Sequence, residues 1–260
     1  MSIVCGIWGD DKTGKSTLAL TFPKPMYYAE LDLGGYNRAK WKFQQEINDG
    51  LVDYHGFIAP IQAEPSFRPS KIVTGMKELW YQFLEDYVKN LLSKPEMVTG
   101  VIDTGTLLWE LICTSYLQEK QELQLDAAGN AKPNENLRVS LLPIEYREPN
   151  IRMRGIIYQA RARDKNLVII HHSRDEYKPM PNPKTGRVEE SKTGKRERSG
   201  FNSLGDSTDW MLHTYKNNGS FWCKVEAESV PAPLVGLPFE DPSYSKIMEQ
   251  EGIITGASII

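Results

Sequence analysis

Along most of the chain, blocks of apolar and polar residues have lengths and periods that separate strands from helices. Ser2–Trp8 (SIVCGIW) is a short, almost wholly apolar run that ends at Gly9, the pattern of a strand covered on both faces. Lys15–Thr21 reads as a helix stopped before Pro23, and Pro25 opens a second strand, Met26–Leu31, closed by the Gly34-Gly35 turn. Between Ile72 and Leu92, the residues Met76, Leu79, Trp80, Phe83, Tyr87 and Leu91 recur at steps of three and four, which predicts an amphipathic helix. A third strand, Thr99–Ile102, ends at Asp103 and leads into an apolar helix over Leu107–Leu117. A basic helix at about Ile151–Arg163 precedes a fourth strand, Asn166–Ile170. Trp210–Tyr215 and Phe221–Ala227, on either side of Lys216–Ser220, read as an antiparallel hairpin. Three stretches show no usable period. Residues 36–70 are aromatic-rich and unassigned, 123–137 read as a loop, and 174–207 are polar, with Pro and Gly, and too long for a simple connector.

Alternation of strand and helix in this order predicts an α/β fold: a mostly parallel central sheet with flanking helices and a C-terminal antiparallel hairpin. Residues 1–228 form the core in this reading, and 229–260 a proline-containing tail packed on it. Ligands of such sheets sit at the carboxyl ends of the strands. The chemically capable residues fall there, at Gly9, Glu30, Asp103 and His171.

Composition is ordinary for a globular protein, with 40% hydrophobic and 25% charged residues, and the net charge of −3 supplies no global basic field. The charge is unevenly placed. Arg138–Arg163 holds six Arg against two Glu, and Arg174–Gly200 holds eight Lys/Arg against five Asp/Glu. That is either a local polyanion-binding signal or a solvated helix face followed by a charged loop. Cys5, Cys113 and Cys223 show no metal-ligand spacing and read as reduced thiols of a cytoplasmic protein. The chain opens on a strand rather than a charged leader, and no apolar run approaches the length that crosses a bilayer, so no membrane partner is expected.

The segment Gly9-Asp10-Asp11-Lys12-Thr13-Gly14-Lys15-Ser16 fits G-x-x-x-x-G-K-[ST], with a strand before it and a helix after it. Its glycines let successive backbone N–H groups face one phosphate. Lys15 is expected on the β- and γ-phosphates, and Ser16 on Mg²⁺, with Thr17 completing the nucleotide contacts. Asp10 and Asp11 are tolerable beside a polyphosphate only if they point outward. Asp103, ending Thr99-Gly100-Val101-Ile102-Asp103, is the expected second Mg²⁺ anchor. Glu30, or Asp32 close by, is placed to orient and deprotonate a water. His171 or His172 could sense the γ-phosphate; a zinc fragment is disfavoured, because no Cys is close in sequence.

Taken together these motifs resemble the RecA-like P-loop ATPases, and most of all the short phage ATPases linked to single-strand annealing and recombination. The phrases "GKSTLALTFPKPMYYAELD" and "NLVIIHHSRDEY" carry the likeness. The resemblance implies ATP and Mg²⁺ as cofactors, a catalytic Glu30, a Walker B Asp103, and a histidine sensor at the root of a mobile DNA-binding loop, about Ser173–Asn202. Lys178, Lys184, Arg187, Lys192, Lys195, Arg196 and Arg198 would then meet the phosphates of single-stranded DNA, with Tyr177 and Phe201 flanking. It further implies a homo-oligomer with a finger in trans, for which Lys216 and Lys224 are candidates, and a single-strand DNA-binding protein as partner. Two other classes use the same motif: a small-molecule kinase with the basic loop as lid, and a non-catalytic NTP-binding interaction protein.

Overall fold

The computed structural model describes residues 2–63, 70–125, 136–181, 187–228 and 233–255. Its centre is one sheet in the order β3-β2-β4-β5-β1-β7-β8-β9. The strands are β1 Val4–Gly9, β2 Met26–Glu30, β3 Val52–Gly56, β4 Thr99–Asp103, β5 Asn166–Pro181, β7 Trp210–Asn217, β8 Ser220–Glu228 and β9 Pro238–Glu240, with β6 Val188–Arg198 paired only to β5. From β3 to β7 every pairing is parallel, and β8 and β9 add antiparallel strands at one edge. The expected fold class therefore stands. The central strands β1, β2 and β4 are buried at every position, which is why they read as unbroken apolar runs rather than alternating ones.

Helices cover both faces. On one, α4 Met76–Tyr87, α5 Gly105–Glu122 and α6 Arg147–Ala162 pack Phe83, Leu108, Ile112, Met153 and Ile157 against Tyr27, Ile102 and Ile169. On the other, α1 Lys15–Ala19 and α2 Gly35–Ala39 pack with α7 Tyr244–Thr255, whose Ile247 is fully buried beside Trp210 and Val225. The helix read as 72–92 starts at Met76, after Gly75 turns the chain at φ 74°, and runs on through a π turn to Leu92. The next one starts earlier than its apolar stripe, because the Thr104 hydroxyl accepts the Leu107 N–H and caps it.

Two expectations need correction. Residues 36–70, left unassigned, contain α2, a 3-10 turn at Lys40–Phe43, α3 Gln44–Asn48 and the edge strand β3. The stretch read as a loop from Ser173 to Asn202 is mostly a two-stranded antiparallel ribbon, in which β5 continues past the sheet from Ser173 to Pro181 and pairs with β6. It lacks an apolar face, and charge pairs hold it across the strands: Arg174–Glu197 at 2.8 Å, Arg196–Asp175 at 2.8 Å and Lys192–Asp175 at 2.6 Å.

Candidate nucleotide-binding site

Parallel register brings five strands together at one edge of the sheet: Gly9, ending β1, lies opposite His172 of β5 and Thr214 of β7, Glu30, ending β2, lies opposite Asp103, and Asp103, ending β4, lies opposite Ile170 of β5. From this edge the chain curls between β1 and α1. Gly9 has φ 154°, and a Cβ there would lie 2.2 Å from the Thr214 carbonyl oxygen; Gly14 has φ 89° and packs against the Phe221 ring. Both positions therefore demand glycine. Thr13 Oγ1 bonds the Asp10 carbonyl at 2.8 Å and Thr214 Oγ1 at 2.7 Å, which ties the curl to β7.

Inside the curl the Lys15 ammonium donates to the carbonyl oxygens of Gly9, 2.9 Å, and Asp10, 2.7 Å. Burial lowers its pKa, against the pull of Asp11, Asp103 and other carboxylates. One residue on, Ser16 Oγ donates to Asp103 Oδ2 at 2.8 Å, and Tyr28 Oη donates to the same oxygen at 2.6 Å. Asp103 is 3% exposed, and burial raises its pKa although both hydroxyls oppose the shift. The space beside this pair is kept open by Gly35, where a Cβ would stand 2.6 Å from Asp103 Oδ2 and 2.8 Å from Ser16 Oγ. A hydroxyl and a buried carboxylate facing a gap that one methyl would fill fit a hydrated Mg²⁺ carried in on nucleotide phosphates.

The surrounding pocket, of about 640 Å³, is lined by residues 11–17, Asp32, Gly35, Arg38, Ala39, Asp103, Thr104, His172, Lys216 and Phe221. The P-loop residues Asp11, Lys12, Thr13, Gly14, Lys15, Ser16 and Thr17 are thus all in its wall. Asp10 behaves differently. Its main chain belongs to the curl, but its carboxylate turns out to the ribbon, where Oδ1 accepts from Ser173 Oγ and, at 3.1 Å, from Arg196 Nε. These contacts, the Ser173 bond first, lower its pKa.

Glu30, expected as the water-activating base, is fully buried with both oxygens committed. Oε1 accepts the N–H groups of Gly34, 3.0 Å, and Tyr36, 2.9 Å, and Oε2 accepts Tyr54 Oη at 2.7 Å. It anchors the start of α2 and does not line the pocket. Asp32 does, and its Oδ2 is 3.3 Å from His172 Nε2. The two histidines also part company, since consecutive strand residues face opposite sides. His172 lines the pocket, and its backbone N–H donates to Thr106 Oγ1 at 3.0 Å. His171 is fully buried, bonded through Nδ1 to the Ser199 carbonyl at 2.9 Å, and pushed down to about 3 by burial and the nearby Arg198 charge.

Four participants were missed from sequence: Tyr28, Arg38, Phe221 and Thr214. Tyr28 lay inside an unbroken apolar run that gives no sign of which face meets the site, and nothing in composition ties the other three to the P-loop. Lys216, expected as a finger in trans, lines this chain's own pocket, with its ammonium 5.1 Å from the Phe221 ring centre; Lys42 approaches the same ring at 5.9 Å. Lys224 is exposed on the opposite face of the hairpin. Of the expected DNA contacts, Lys184 lies outside the described residues. Lys178 pairs with Glu176, Lys192 with Asp175, and Arg196 with Asp10 and Asp175. Arg198 turns back onto the carbonyls of Phe201 and Asn202, while Arg187 and Lys195 are exposed. Tyr177 is half exposed beside Lys192, whereas Phe201 is buried in the core.

No known family model and no curated protein matches the chain. Among solved structures, the RadB recombinase is similar over 92% of this chain and 86% of its own, at 14% identity and a TM-score of 0.44. A KaiC-like protein, PH0186 of the hyperthermophilic archaeon Pyrococcus horikoshii OT3, is similar over 92% and 84% of the two chains, at 12% identity and a TM-score of 0.42. At such values the likeness carries no weight about function. Among the described residues no helix is long and apolar enough to cross a membrane.

Proposed function

We propose that this chain is a RecA-like, Mg²⁺-dependent ATPase that binds single-stranded DNA and assists recombination or annealing. The observation that carries the ATPase reading is the convergence of Lys15, Ser16, Asp103, Asp32 and His172 on one pocket at the carboxyl edge of the sheet. Lys15 would exchange its two backbone carbonyls for phosphate oxygens, and Ser16 and Asp103 would hold the metal. Bound Mg²⁺ neutralises charge on the phosphates. Asp32, paired with His172, orients a water and takes its proton, which removes that task from Glu30. Phe221, with the Lys216 and Lys42 ammonium groups near its ring, offers the nucleobase an aromatic face flanked by cations.

The DNA arm of the proposal is supported by the excess of basic residues between 138 and 200 and by the ribbon, which is rooted on the P-loop through Asp10. An oligomer with Lys224 reaching a neighbour's phosphates and a single-strand DNA-binding protein partner belong to the same reading. One measurement tests it: ATP turnover with and without a single-stranded oligonucleotide across a salt series. Mg²⁺-dependent turnover raised by DNA at low salt is expected. Turnover raised only by a small phosphate acceptor would turn the site into a kinase's, and nucleotide binding with no turnover under any condition would leave a binding protein.

A further inference from the structure

The positive charge of residues 138–200 divides in two once its pairings are traced. On the ribbon, Arg174, Lys178, Lys192 and Arg196 each face an acid, and Arg198 is bound to backbone. On α6 the outer face is different. Arg147, Ile151, Arg154, Tyr158 and Arg161 recur at steps of four and three, which sets them in one stripe along the helix. It is the stripe turned away from the buried Met153, Ile156, Ile157 and Ala160. Ile151 is 52% exposed and Tyr158 55%. Arg161 is tied to Asp209 at 3.1 Å, but among the described residues neither the Arg147 nor the Arg154 guanidinium has an ion-pair or hydrogen-bond partner. The stripe itself carries no acid, and Glu148, beside it on the helix, is engaged with Arg152.

We infer that this stripe of α6 binds single-stranded nucleic acid, with Arg147 and Arg154 on phosphates and a base stacked on Tyr158. The inference rests on the reading of the chain as a DNA-binding ATPase and moves the main contact from the ribbon to the helix. Unpaired guanidinium groups give up no protein partner when they meet a phosphate, whereas Arg174, Lys178, Lys192 and Arg196 on the ribbon would each have to leave a carboxylate. Cation and apolar side chain alternate one helical turn apart, and Arg147 and Arg154 stand about 10 Å from each other along the axis. A single strand offers the matching alternation of charged phosphates and open bases. A duplex hides its bases from such a face, so Ile151 and Tyr158 would go unused.

The test is fluorescence anisotropy of a labelled oligothymidylate with the full chain across a salt series. Variants are Arg147→Gln with Arg154→Gln, Tyr158→Ala, Tyr158→Phe, and the ribbon set Lys178→Gln, Lys192→Gln and Lys195→Gln. Loss of the two arginines is expected to flatten the slope of log affinity against log salt by about 1.4, at about 0.7 per phosphate contact. Tyr158→Ala is expected to weaken binding roughly tenfold, the scale of one stacked base, with Tyr158→Phe near wild type. ATP turnover without DNA should be unchanged in all of them, which excludes misfolding. If the arginine pair keeps affinity and slope while the ribbon set loses both, DNA binding stands and the α6 site falls. If the wild-type chain does not bind the oligonucleotide at all, the DNA reading falls and takes this site with it. If the α6 variants instead dissociate an oligomer in sedimentation and keep DNA affinity, the stripe is a contact between copies and the inference is overturned.

Discussion

Asp32 and His172 face each other in the pocket wall, carboxylate Oδ2 to imidazole Nε2 at 3.3 Å, while Glu30 two residues earlier is turned inward and fully engaged. The pair joins the segment after β2 to the point where β5 leaves the central sheet, and the strand between them, β4, carries Asp103. A water held near this pair would have a carboxylate acceptor whose direction the imidazole fixes.

Asp32→Asn should therefore lower ATP turnover by about a hundredfold or more while nucleotide binding is kept, the scale expected when a positioned base is lost. Glu30→Gln should act mainly on stability. Its amide oxygen can keep the two N–H groups, but its NH₂ then faces the Tyr54 hydroxyl, which must turn to accept, and the exchange costs about 1 kcal/mol. Urea unfolding and single-turnover kinetics on both variants separate the two effects. A dead Glu30→Gln enzyme of wild-type stability beside an active Asp32→Asn would return the base to Glu30.

Asp103 gives a test with a sign. Burial raises its pKa above the ordinary carboxylate value, so at neutral pH the ionised group costs the fold stability. The stability linked to its protonation is present below the unfolded-state pKa and is lost as pH rises through the raised folded one. Ser16 and Tyr28 both donate to Oδ2, and an asparagine can keep its oxygen there. Asp103→Asn is expected to melt at or above the wild-type temperature near pH 7 without metal, and to lose the stabilisation that Mg²⁺ with a nucleotide gives the wild type. A variant that melts lower without metal would show the carboxylate charge to be needed by the fold itself.

His171 titrates the other way. Unfolded, its imidazole protonates near 6.5, whereas burial in the fold pushes it down to about 3. The unfolded chain therefore takes up a proton that the fold refuses, so stability is complete above about pH 6.5 and declines as pH falls toward 3. Chemical unfolding of the wild type against His171→Gln, between about pH 7 and 5, should show a flatter pH slope in the variant whatever its absolute stability. Equal slopes would mean that His171 is protonated in the fold.

What the sequence made legible follows from how each residue earns its place. Strands β1, β2 and β4 were readable because both faces are buried, and the P-loop because its glycines, Lys15 and Ser16 are fixed by local geometry. Strand β3 was not, since at the sheet edge only Val52 is buried and Asp53, Tyr54 and His55 read as loop. The ribbon was hidden for a related reason: register and ion pairs specify it rather than an apolar period, and alternating charges also describe an open loop. Choosing between Glu30 and Asp32, or between His171 and His172, required knowing which face of a strand end meets the pocket, and that depends on sheet order.

The last relationship to test is the one between Asp10 and Arg196. Asp10 accepts Lys15 Nζ at its carbonyl, 2.7 Å, and Arg196 Nε at its carboxylate, 3.1 Å, so a single residue touches both the phosphate lysine and the ribbon. When Lys15 leaves that carbonyl for a phosphate, the Asp10 peptide is free to turn and its grip on Ser173 and Arg196 loosens. Binding of a non-hydrolysable ATP analogue should then change hydrogen exchange at Ser173–Tyr177 and Lys192–Arg198. Asp10→Ala should leave exchange there the same with and without the analogue, and Arg196→Ala should do likewise. The double variant should be no worse than either single one, as for two members of one contact. Global stability should move by no more than about 1 kcal/mol, because the pair is exposed. A nucleotide-dependent change that survives intact in Asp10→Ala would show that the site reaches the ribbon by another route, with the His172 end of β5 as the next place to look.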